Sequence, residues 1–223
     1  MHFQTSSGLF KLCEWIYRLA YLQLLAITGA LAGGFMFGIF PSILAMFAIN
    51  NRWLNGESDF SVSKQFWRMY KQYFIKANKL GGLILLTLIA LWIDYALLQN
   101  FQGTIYYLIL SSSTTVLIIT ISVLFYIFYL MIISEQTITQ SIKTAIQIAT
   151  LFPLQTFWML LSILSFLFIC WVIPGITIFY LCSGVTYLAT FFSRYALTRL
   201  AKKNEDKHFL IERGVLNAKR TTS

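Results

Sequence analysis

From Leu19 to Ile49 the chain carries no charged side chain. As one helix, those 31 residues would measure roughly 46 Å at 1.5 Å per residue. The hydrocarbon core of a bilayer is only about 30 Å thick. The run therefore has to overhang, tilt or fold back. Its middle, "GGFMFGIFP" from Gly33 to Pro41, holds three glycines and a proline. Proline cannot donate a backbone hydrogen bond and suits the first turn of a new helix. The sequence thus predicts a turn at Gly38-Ile39-Phe40-Pro41 and a short return or re-entrant helix over Pro41–Leu54, about 21 Å long. A single long crossing is the alternative. Broken backbone at that depth has to be covered by protein.

Four more apolar segments follow the first one, Leu19–Phe37: Leu80–Leu98, Ile105–Ile133, Thr156–Ile173 and Gly175–Phe192. With 11% charged residues and a mean hydropathy of +0.70, the chain falls far outside the range of soluble domains. The expected fold class is all-α: a polytopic transmembrane helical bundle of five strong spans plus the short Pro-started helix. It forms one membrane-embedded domain, residues 1–198, followed by a basic tail, 199–223. Pro174-Gly175 predicts a tight hairpin between the last two spans. Ala30-Leu31-Ala32 imitates a signal-peptide cleavage site, but the apolar run continues past it, so the first span is expected to be retained.

The net charge of +9 sits beside the apolar runs. It reads as a topology signal and a contact for anionic lipid headgroups rather than as a nucleic-acid surface. Arg52, Lys64, Arg68, Lys71, Lys76 and Lys79 cluster between the first and second spans, and eight more Lys and Arg follow Phe192. The links at Gln99–Thr104 and Pro174 have none. Positive charge stays cytoplasmic. The expected location is the cell membrane, multi-pass, with a cytoplasmic C-terminus. A turn near Pro41 also puts Lys11, Arg18 and the N-terminus inside. Two of the inner segments are amphipathic. In Ser61–Lys79, Val62, Phe66, Trp67, Tyr70, Tyr73, Phe74 and Ala77 form a stripe, with Lys64, Arg68 and Lys71 off it. That pattern predicts an interfacial helix, aromatics toward lipid or protein and bases toward headgroups or a partner. Ile138, Ile142, Ala145, Ile146, Ala149 and Phe152 form a second stripe. Each segment follows a glutamate, Glu57 or Glu135, and leads into a span, suggesting an internal repeat of about 78 residues, a pattern known in transporters.

Candidate chemistry is sparse. Gly29/Gly33 and Gly34/Gly38 are GxxxG pairs that permit close helix approach, within the chain or across a homodimer. With Pro41 they make up the expected break and packing site. Asp94 is the one acidic residue inside an apolar run and a functional candidate by default. It lies four residues from Leu98, where solvation at the membrane edge is the plainer reading. Gln23, Asp94, Ser112 and Thr115 are candidates for a polar path, with helix–helix hydrogen bonding as the alternative for the hydroxyls. Lys64, Trp67, Arg68 and Lys71 are the candidate interfacial or partner contacts. Cys13, Cys170 and Cys182 have no metal spacing, and the two histidines, His2 and His208, lie near the ends. No metal, cofactor or catalytic constellation is expected, and the chain is not read as an enzyme.

Three stretches carry a resemblance: "LFKLCEWIYRLAYLQLL", "GGFMFGIFPSILAMFAINNRWLNGE" and "FWRMYKQYFIKANKLG". Together they resemble the YesL family of bacterial integral membrane proteins. Their most specific parts are the turn from Gly38 to Ser42 and the R-W-L-x-G-E of Arg52 to Glu57. The family is often encoded beside carbohydrate-uptake and glycan-degradation systems. The resemblance implies a role near carbohydrate uptake, with sugar-transporter subunits as partners, and supplies no active site. A solute transporter in its own right is the alternative.

Overall fold

The computed structural model describes residues 8–98, 102–134 and 137–221, with side chains between 12 and 201 of those stretches. Its helices are α1 (Gly8–Ala32), α2 (Ile39–Leu54), α3 (Val62–Leu98), α4 (Thr104–Ile133), α5 (Ile138–Leu151), α6 (Pro153–Val172) and α7 (Pro174–Thr221). Among the described residues, α1, α3, α4, α6 and α7 contain the five stretches long and apolar enough to cross a membrane. The chain is a polytopic all-α bundle.

The long apolar run is broken. α1 stops at Ala32, and the chain reverses over Gly33–Gly38, where Gly34 (φ 66°) and Phe35 (φ 64°) are both left-handed. The Phe35 amide donates to the Ala30 carbonyl at 2.8 Å and closes the end of α1. The reversal falls a few residues before the expected Gly38–Pro41 position. The cause is the pair of left-handed residues; Gly38 is already right-handed helical (φ −89°, ψ −24°). Pro41 then sits in the first turn of α2, where its missing N–H costs nothing.

α2 is the hub. At 16 residues it is about 24 Å long, too short to span alone, and none of its residues is exposed. Ala45, Met46, Ile49 and Trp53 join Leu22 and Leu25 of α1 and Phe66 and Tyr70 of α3 in one core. Leu44 and Phe47, on the other side, enter a second core with Leu80, Tyr126, Phe128, Ile148, Met159 and Ala189 from α3 to α7.

The basic aromatic segment is not a separate interfacial helix. It is the first half of α3, continuous with the second span over 37 residues. No proline interrupts the join, and Gly81 there serves contact: a Cβ on it would lie 2.3 Å from the Phe40 ring. The aromatic stripe is covered by protein, with Phe66 and Ala77 fully buried and Tyr70 and Tyr73 nearly so. The second amphipathic segment does remain its own helix, α5, because Pro153 begins α6. Its buried face is Ser141, Ala145 and Ile148, so the expected stripe is corrected: Ile146 is 47% exposed. The two halves of the suggested repeat therefore differ in backbone, and Glu135 lies outside the described residues. α7 runs on as helix through Thr221, past the expected boundary at residue 198. Between Ile84 and Ser122, Leu98 is the one residue of α3 and α4 that is buried among those described. Their outer halves form an arm standing apart from the bundle.

Candidate functional site

Asp94 lies on this arm. An open cleft of about 360 Å³ between α3 and α4 is lined by Thr87, Asp94, Ser112, Ser113, Val116 and Thr120, among others. The Ser113 hydroxyl donates to the Asp94 carboxylate, and also lies 2.9 Å from the Ile109 carbonyl. Ser112 donates to the same carbonyl at 2.8 Å. By its neighbour Ser113, Asp94 lies nine residues below the start of α4, about 14 Å along that helix, deeper than its distance from Leu98 implies. Thr115 does not reach the cleft. It is exposed and its hydroxyl is spent on the Ser111 carbonyl. Thr87 and Thr120 were not singled out in the sequence, although Thr87 and Asp94, seven apart, share a helix face.

Gln23 belongs to another polar group. Its Oε1 accepts from the Ser183 amide at 2.9 Å, tying α1 to α7. Asn50 of α2 donates to the Thr186 hydroxyl at 3.2 Å, and Tyr129 of α4 donates to Asn51 at 3.3 Å. Ser183, Thr186, Thr190 and Ser193 all lie buried on α7 at the i, i+3, i+4 spacing of one helix face. That spacing was the available signal for a seam the sequence reading did not identify. The Asn50 Oδ1 and Ser193 Oγ are buried without a protein partner. Asp94 and Gln23 thus sit in different places: one in the open arm, the other in the packed bundle. A larger cleft, about 660 Å³ between α2, α4, α6 and α7, is lined by apolar residues such as Phe47, Phe125 and Leu164, with Thr186 at its wall. Cys182 is exposed on that cleft rather than packed away. Among the described residues no three His, Cys, Asp or Glu side chains converge.

The glycines divide by role. A Cβ on Gly33 would lie 2.3 Å from the Gly38 Cα, one on Gly38 2.4 Å from the Ala30 carbonyl oxygen, and one on Gly29 2.5 Å from the Ser42 hydroxyl. These three let α1, α2 and α3 meet within one chain, and the Tyr70 hydroxyl closes the meeting point by donating to the Gly29 carbonyl at 3.0 Å. At Gly34 a Cβ would have nothing within 4 Å. It serves the left-handed turn, so Gly34/Gly38 is not a helix-packing pair. Ser42 donates to the Gly38 carbonyl at 2.7 Å.

The α2–α3 turn is built from R-W-L-x-G-E. The Arg52 Nε donates to Glu57 at 2.7 Å, the Glu57 amide returns to the Arg52 carbonyl at 3.1 Å, and Gly56 is left-handed at φ 84°. Beyond it, Lys64, Arg68, Lys71 and Lys79 lie in one exposed row on α3 with Ile75 among them, and Lys76 on its flank. No carboxylate pairs with any of these five among the described residues; the ion pairs there are Arg18–Glu14 and Arg52–Glu57. Trp67 is half-buried beside Phe66 and Tyr70 and belongs to the packed side rather than the cationic one.

Both turns lie in a stretch that resembles known proteins. A family model described as "Protein of unknown function, DUF624" matches residues 19–95, a stretch that contains both. The chain is 30% identical over 187 residues to the uncharacterized protein YteU of Bacillus subtilis (strain 168), covering 83% of each chain. It is 27% identical over 176 residues to the uncharacterized protein YesV of the same strain, covering 79% of this chain and 85% of YesV. Its match to the uncharacterized protein YesL is 39% identical over 83 residues, 37% of this chain and 39% of YesL. No solved structure matches it. The likeness thus extends over most of the chain through YteU and YesV, the family model spans the stretch that builds the broken pair and its cationic neighbour, and the chain belongs to the DUF624 family of YesL-like proteins.

Proposed function

We propose that this chain is a non-catalytic accessory of carbohydrate uptake in the bacterial cytoplasmic membrane, docking the cytoplasmic side of a transporter subunit through the cationic face of α3. The row Lys64, Arg68, Lys71 and Lys79 carries this reading. A free amphipathic helix would lay its aromatics in lipid. Here the aromatics are held by α1 and α2, so the cations are presented at fixed spacing by a helix that cannot rotate. An array of that kind suits an acidic protein surface through charge complementarity. The asymmetry of Lys and Arg supports a cytoplasmic position, and the carbohydrate setting is what the family resemblance implies.

The alternative, a small-solute transporter, draws on the Asp94 cleft and the Gln23–Asn50 seam. A path through the bundle would have to join them, and they stand apart. Purified chain in liposomes separates the two readings. Solute flux by the chain alone would establish the alternative. Flux only when a transporter subunit is added, lost in Lys64→Glu with Arg68→Glu, supports the accessory.

A further inference from the structure

We propose that the Asp94 cleft is an intramembrane docking site for a transmembrane helix of another protein that carries a lysine or arginine at the matching depth. The proposal deepens the accessory reading by giving the chemistry of a second contact, on a surface separate from the cationic face. The cleft is rich in acceptors. Thr87 donates its proton to the Ile84 carbonyl at 2.7 Å and Ser112 to the Ile109 carbonyl at 2.8 Å. The single proton of Ser113 is shared between Ile109 and Asp94. A hydroxyl whose proton is spent still offers lone pairs. These oxygens, with the carboxylate, ask for a donor or a cation.

The cleft lies open on an arm whose other surfaces are mostly apolar and exposed. What meets such an arm in a bilayer is lipid, and acyl chains have no donors. A carboxylate left facing them is costly and needs a partner. Among the described residues Ser113 is the one side chain seen donating to it, and no cation is near. A second copy cannot supply one: residues 80–133, 153–193 and 19–49 contain no Lys or Arg. An inorganic ion is poorly served as well. Coupling-ion sites in many transporters draw on the carbonyls of unwound helices, and α3 and α4 are continuous here. A helix laid along the groove would cover Val116 and bring a charged donor to Asp94 within low dielectric, where such a pair is strong.

The test places a photo-crosslinking amino acid at Val116 in the full chain, expressed in the membranes of its own host, with adducts mapped to single residues by mass spectrometry. The expected adduct lies in a transmembrane segment of another protein, beside a lysine or arginine. It is lost in Asp94→Asn and kept in Asp94→Glu. Asp94→Lys restores it when the mapped cation is changed to aspartate. Should Asp94→Asn lower thermal stability in detergent, that charge swap decides the matter alone. Adducts on lipid only, on a second copy, or on a segment without a cation overturn the proposal, as does a swap that restores nothing. Lys64→Glu with Arg68→Glu leaves this adduct in place, so the cationic-face reading and this one fail separately.

Discussion

The reversal between α1 and α2 can be broken by one methyl group. In Gly38→Ala the added Cβ would lie 2.4 Å from the Ala30 carbonyl oxygen, 2.6 Å from the Gly29 carbonyl oxygen and 2.8 Å from the Ala30 Cα. Even close carbon–oxygen contacts lie at about 3.3–3.6 Å, so the shortfall is about 1 Å. All three atoms are backbone, and no rotamer change relieves them. The two helices have to separate. Overpacking of this kind costs about 1–3 kcal/mol. Displacing Gly29 also threatens the hydrogen bond it accepts from Tyr70, worth about 1 kcal/mol net. The expected loss is therefore about 2–4 kcal/mol, or roughly 5–15 °C on the size scaling for a chain this long. Thermal unfolding of the purified protein in mild detergent reads it, with Gly82→Ala as control. Nothing lies within 4 Å of a Cβ on Gly82, and alanine is the better helix former by about 1 kcal/mol, so the control should melt at or slightly above wild type. Equal melting of Gly38→Ala and Gly82→Ala would refute the close-approach argument.

Phe35→Gly should raise the melting temperature, because a left-handed phenylalanine (φ 64°) stores about 1–2 kcal/mol that glycine does not; a lower midpoint would show that the exposed ring contributes more than the strain removes. Asn50→Ala should cost about 1–2 kcal/mol, through loss of the Thr186 bond and a small void in the hub, and unchanged detergent stability would dismiss the α2–α7 seam as a support. Glu57→Gln should cost at most about 1 kcal/mol, since its ion pair with Arg52 is part-exposed and such pairs contribute little; a larger drop in melting would give the turn a weight this geometry does not. Cysteines placed at 58 and 203 should resist an impermeant thiol reagent in intact cells and one at 102 should react, and the reverse pattern would invert the topology inferred from Lys and Arg.

Spans and their order were legible because twenty apolar residues in water have no other use. So was the break in the long run, from its excess length and from Pro41. Its position was not: the reversal depends on two consecutive left-handed residues, and the second is Phe35, a residue type that gives no such signal. The continuity of α3 was also hidden. Charge ends at Lys79 and apolar sequence begins at Leu80, so composition marks a boundary where the backbone has none. The aromatic stripe read as a contact with lipid or protein because the pattern shows only that a face is covered, not by what. In α5 the same limit exchanged Ile146 for Ile148: a six-residue stripe fits two rotations of a short helix, and its packing against α4 and α7 selects one.

The polar residues inside the spans follow a rule that could have sorted them beforehand. A serine or threonine can return its proton to a carbonyl three or four residues back, and Ser111, Thr114, Thr115, Ser122, Ser162 and Ser165 all do so. They satisfy themselves and need no neighbour. The longer amides and the carboxylate turn instead to other helices: Gln23 to α7, Asn50 to α7 and Asp94 to α4. Gln23 and Asn50 are enclosed by the contacts they make. Asp94 makes the same kind of contact on an arm whose flanking residues, among those described, are mostly exposed. Its hydrogen bond from Ser113 satisfies a lone pair and leaves the charge unmatched. A carboxylate with that environment within a span holds a position for a group from outside the molecule, which is why the arm, rather than the tightly packed hub, is where a partner has most to gain by binding.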